Sequence, residues 1–121
     1  MKLALGVTAV FVTATACAAA TPPPRAESFA SAVDMATAAT RLGAESDENA
    51  ARRLKRAREE IDAANALVRQ GKNDEAIRQL ARANADAEVA LELARETVAR
   101  ERANQARAAL DSAREEEGGS Q

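Results

Sequence analysis

Histidine, tryptophan and tyrosine are absent from this 121-residue chain, and cysteine occurs once, as Cys17. Without histidine or a second cysteine there is no imidazole base, no Ser–His–Asp or Cys–His triad, and no thiolate or imidazole set for zinc. A single cysteine forms no internal disulfide, so cysteine usage does not name a redox compartment. The five glycines, at 6, 43, 71, 118 and 119, build neither a GxGxxG nor a GxxxxGK phosphate loop. Basic charge is not in excess: 17 Lys and Arg stand against 19 Asp and Glu, a net charge of −2. That balance lacks the positive field nucleic acid binding requires. The composition points to no catalytic group, no cofactor, no metal and no nucleic acid partner.

Large apolar residues are also scarce. Only fifteen follow Cys17, from Phe29 to Leu110, and aromatic residues make up 2 % of the chain. At about 1.5–3 kcal/mol per fully buried large side chain, they form a thin core to set against chain entropy. Alanine fills the remaining apolar positions. A slender helical bundle of modest stability follows, or one reinforced by self-association or tethering.

What is present is helical periodicity. Ala50, Leu54, Ala57, Ile61, Ala64 and Val68 recur at steps of four and three, which places them on one helix face. Gly71 follows, suited to a left-handed C-terminal cap. Asn73 is placed to cap the next helix, with Asp74 and Glu75 at its positive end. A second stripe then runs through Ile77, Leu80, Asn84, Ala87, Leu91, Ala94 and Val98. Two stripes joined by so short a turn fold back as antiparallel neighbours. Upstream, Glu27 to Leu42 reads as another helix, with Phe29, Ala32, Val33, Ala36, Ala39 and Thr40 inward and Met35 and Leu42 widening the face. It ends at Gly43, and Ser46 or Asp47 caps the next helix. The fold class is all-α: an antiparallel helical hairpin extended to a three-helix bundle, with a long C-terminal helix.

That last helix meets no breaker before Gly118-Gly119. Beyond Val98 its stripe fails at Glu101 and Gln105. A shifted one appears at Ala99, Ala103, Ala106, Leu110 and Ala113. Either this stretch projects into solvent, held by pairs such as Glu96–Arg100 and Arg107–Asp111, or it packs on a second copy as a homo-oligomeric alanine-type coiled coil.

The N-terminus reads as an export signal. Lys2 gives a positive start, and Leu3 to Ala14 is about a dozen apolar or small residues, short of the roughly 20 a bilayer span needs. Ala14-Thr15-Ala16-Cys17 resembles the bacterial lipobox, with Ala14 where that motif usually has Leu. The resemblance implies cleavage between Ala16 and Cys17, lipid on the Cys17 thiol, and attachment to a membrane. Ala18 after the cysteine implies sorting to the outer membrane, with the domain facing the periplasm. Ordinary cleavage at Ala14-Thr15-Ala16 or Ala18-Ala19-Ala20 is the alternative, and gives a soluble periplasmic protein. Pro22-Pro23-Pro24 favours polyproline II and reads as a short spacer. The organisation is a signal peptide over 1–16, a lipidated Cys and Pro-rich tether over 17–25, a helical domain over 26–117 and a disordered tail over 118–121.

Leu42-Gly43-Ala44, Ala50-Ala51-Arg52-Arg53-Leu54, Gly71 to Ala76, and Leu80-Ala81-Arg82-Ala83-Asn84-Ala85-Asp86-Ala87-Glu88-Val89-Ala90 together resemble the bacterial domain of unknown function 4398. The likeness spans roughly Phe29 to Val98, and departs where members often carry Tyr or Pro and this chain has Glu48-Asn49. It implies the fold and location of a small alanine-rich envelope lipoprotein; the lipobox-like leader, the Pro spacer and a hairpin without a site point to a non-enzymatic role, with another envelope protein or peptidoglycan as partner. It supplies no reaction and no binding residues. Three surface features remain. Glu88, Glu92 and Glu96 form an acidic ridge, either solvated or weakly cation-binding. Arg52, Arg53, Lys55, Arg56 and Arg58 form a basic patch, either ion-paired in solvent or open to anionic headgroups or a wall polymer. Asn84 either fixes helix register or sits at the edge of the packed face.

Overall fold

The computed structural model describes residues 20–119. They form α1 (Ala26–Arg41), a 3-10 turn (Ala44–Ser46), α2 (Glu48–Arg69) and α3 (Asn73–Gly118). Among the described residues there is no strand, and no helix is long and apolar enough to cross a membrane. Cys17, the cleavage position at Ala16 and the whole leader lie outside the described residues.

Local chemistry sets the ends of each element. Gly43 and Gly71 have φ of 80° and 73°, the left-handed region, where a Cβ would be strained. At the second of these, Lys72 N–H donates to Leu67 O and Gly71 N–H to Val68 O, both at 3.0 Å. Those two bonds close the last turn of α2 and reverse the chain. Asp47, rather than Ser46, caps α2: its Oδ1 accepts from Ala50 N–H at 2.8 Å. Ser46 Oγ donates to Gly43 O instead. Asn73 does not cap α3. Lys72 holds the cap position without a side-chain bond, and the Asn73 amide is used elsewhere. At its far end α3 runs through Gly118, one residue past the expected limit, with Gly119 N–H donating to Glu115 O.

The packed faces follow the period, with shifts that have one cause. In α2, Ala50, Leu54, Ala57, Ile61 and Ala64 are buried as expected, and Val68 is half-buried. In α3 the buried line is Ala76, Leu80, Ala83, Ala87, Ala90 and Ala94, joined by Leu91. Alternate positions of the expected stripe are thus rotated by one residue: Ile77 is 42 % exposed, and Asn84 and Val98 are half-buried. In α1 the buried residues are Ala32, Ala36 and Ala39, while Val33 and Leu42 are exposed. Larger side chains have moved to the flanks because the helices meet along alanines, which let the backbones approach closely. Among the described residues, twelve of the sixteen buried apolar ones are alanine.

Two clusters make up the core. One, toward the hairpin turn, holds Ala32, Ile61, Ala64, Leu80 and Ala83, with Phe29 against it. The other, toward the 3-10 turn, is built on Leu54, Leu91 and eight alanines. No polar or charged side chain is buried among the described residues. Leu54 and Leu80 are the largest fully buried side chains. Past Val98 the bundle stops and α3 does not: every residue from Ala99 to Gly119 is exposed. Its 46 residues measure about 69 Å at about 1.5 Å per residue.

Leu80→Ala is expected to lower unfolding free energy by about 2–5 kcal/mol, a large part of the total for a domain this thin. Leu110→Ala, at a site 58 % exposed, is expected to change it by less than about 0.5 kcal/mol. Urea titrations followed by circular dichroism measure both.

Candidate functional site

Two ion pairs cross the seam between α2 and α3. Asp86 of α3 is common to both, with its side chain only 13 % exposed. Its Oδ1 accepts from Arg53 Nη1 at 2.6 Å, and its Oδ2 lies 3.4 Å from Arg56 Nε. One carboxylate therefore orients two guanidiniums of α2. The other members of the basic run are also partnered: Arg52 with Glu48 and Asn49, Lys55 with Glu59, and Arg58 with Glu45. Arg58 Nη2 also donates to Thr40 Oγ1 at 2.8 Å, tying α2 to α1. The run is thus an ion-paired face. Beside it, an open groove of about 760 Å³ is lined by Arg52, Arg53, Lys55 and Arg56 on α2 and by Val89 and Leu93 on α3.

Glu60 belongs to the same seam. Its Oε2 is buried without a hydrogen-bond partner. Burial pushes the Glu60 carboxyl above the ordinary glutamate value, and the Asp86 carboxylate adds to the push, while Arg56 and Arg82 oppose it. A raised value in the folded state means that protonation favours folding. This part of the stability is present at low pH and lost as pH rises through the folded-state value.

The acidic ridge is not gathered into a site. Glu92 pairs with Arg95 and Glu96 with Arg100. Among the described residues no three acidic, His or Cys side chains are grouped to hold a metal ion. In the projecting stretch Asp111 pairs with Arg114 at 3.5 Å, not with Arg107 as the spacing suggested. Asn84 sits at the edge of the packed face. Its Nδ2 donates to Leu80 O at 3.0 Å and to Ser28 O of α1 at 3.3 Å.

The Pro-rich segment differs most from expectation. From Thr21 onward it lies beside α3. Asn73 Nδ2 donates to Thr21 O at 2.6 Å. Pro22, Pro23 and Pro24 line a groove of about 380 Å³ with Ile77, Leu80 and Ala81 of α3. Arg25, at φ −66° and ψ 143°, keeps the polyproline conformation up to the start of α1. The Asn73 bond thus pins the Thr21 end of a strap that runs beside the start of α3, and the Asn84 bond to Ser28 O holds the first turn of α1, which follows it.

No family model, no curated protein and no solved structure matches the chain. The likeness to domain 4398 rests on the residue pattern alone.

Glu60→Gln is expected to raise the thermal midpoint at neutral pH by roughly 1–3 °C. Scans at several pH values should show the gain shrinking as pH falls below the carboxylate range, where Glu60 is already protonated. A gain independent of pH would assign the effect to packing.

Proposed function

We propose that the protein is a membrane-anchored, non-enzymatic helical lipoprotein of the bacterial cell envelope. It is held at the outer membrane, facing the periplasm, through lipid on Cys17. Its role is structural or adaptor-like, toward another envelope protein or the peptidoglycan wall. The observation that carries this reading is the projecting part of α3. From Ala99 to Gly119 the helix is exposed and packs against no other element among the described residues. Ordering so long a segment costs entropy that its own backbone bonds and a few exposed ion pairs offset only in part, as expected of a surface built to meet another molecule. That molecule is an envelope partner or a second copy joined through the same helix. The leader and Ala14-Thr15-Ala16-Cys17 supply the anchor, and the resemblance to domain 4398 agrees with both.

One feature favours a second reading, a secreted periplasmic binding or chaperone-like module. Between α1 and α2 lies a groove of about 470 Å³, lined by Val33, Ala36, Thr37, Ile61 and two arginines, within the size range of small-ligand sites.

Acyl labelling in a diderm bacterial host separates the two. The anchor reading expects label on the wild-type protein, none on Cys17→Ala, and a mature N-terminus that begins at a lipid-modified Cys17. Labelling unchanged by Cys17→Ala, or a free processed N-terminus, contradicts it.

A further inference from the structure

The strap decides where any anchor leaves the bundle. Thr21 is bonded to Asn73, the first residue of α3. Ala20 and Thr21 share a recess with Gly71, Lys72, Asp74 and Glu75 at the hairpin turn. Cys17 precedes Thr21 by four residues, which span at most about 14 Å fully extended. Its attachment point is therefore confined to the turn end of the bundle. The other end of α3 is about 69 Å away along the helix axis.

We propose that the strap gives the anchored protein a fixed polarity, with the α2–α3 turn against the lipid surface and the exposed end of α3 held away from it. This rests on the anchor reading above. Two further observations weigh against the alternative in which α3 lies along the membrane. The stripe at Ala99, Ala103, Ala106, Leu110 and Ala113 offers one large apolar residue, too little to seat a helix in the interface. The tip carries Glu115, Glu116 and Glu117, which an anionic leaflet repels. The turn end, by contrast, has basic groups at Arg69, Lys72 and Arg78 among its acidic ones. The partner surface is then met at a distance from the membrane, and the strap sets that distance by keeping the tether short.

Fluorescence quenching on the full lipidated chain tests this. Lipid blocks Cys17, so a dye placed through Lys72→Cys or Ser112→Cys marks one end at a time. The vesicles contain phosphatidylethanolamine and phosphatidylglycerol, with a quencher on the headgroup. Quenching at position 72 is expected to exceed that at 112 several-fold, and Asn73→Ala is expected to narrow the difference. Mass spectrometry of the same samples reports the lipid. Lipid present with equal quenching at the two positions overturns the polarity. A difference unmoved by Asn73→Ala overturns the strap as its cause. Absence of the lipid overturns the anchor reading, and the polarity with it.

Discussion

Close approach of helix backbones along alanine is the constraint on which the other features depend. Ala83, Ala87, Ala90 and Ala94 of α3 are buried, as are Ala50, Ala57 and Ala64 of α2. Each buries little area, so the seam gains by the number of contacts it allows rather than by the size of any side chain. Two results follow. Substantial burial is concentrated at a few large residues, Leu54 and Leu80 above all, and the margin against unfolding is small. Charged side chains also sit close to the seam, because helices packed this tightly leave their flanking positions in reach of one another. Asp86 bridging Arg53 and Arg56 is the clearest case.

Features governed by neighbours in sequence were legible beforehand. The Gly71 turn, the buried line of α2 and the unbroken run of α3 all depend on caps and period, which act over a few residues. The inward line of α3 was half legible. A stripe stepped by three and four from Ile77 passes through Ile77 and Asn84, next to the true positions Ala76 and Ala83. Close packing prefers the smaller residue at the centre and the larger at the edge. The basic run was visible as composition, but its partners were not. Asp86 is 33 residues from Arg53, and Glu45 is 13 from Arg58, and no periodicity links them. The strap was least legible. Asn73 has the right chemistry to accept a backbone N–H as a cap, but it is already the first residue of α3, and only the three-dimensional route of Thr21 brings an acceptor to its Nδ2.

The chain thus divides by physical role. Its first described part is a strap beside the start of α3, its middle a bundle whose interior is apolar throughout the described residues, and its last part a long exposed helix. Glu60 lies in the α2–α3 seam, its carboxyl raised above the ordinary glutamate value first by burial and then by the Asp86 carboxylate. What the geometry sets is how much of α3 stands clear of the bundle.

Hydrogen exchange along α3 tests the central claim, that alanine packing holds the helix as far as Ala94 and little holds it beyond Val98. Amides from Leu80 to Ala94 should exchange slowly, at rates near those of α2. Protection should fall sharply after Val98, leaving Arg102 to Glu117 exchanging by local fraying. Uniform protection through Glu117 in a monomer, or equally weak protection on both sides of Val98, would contradict it.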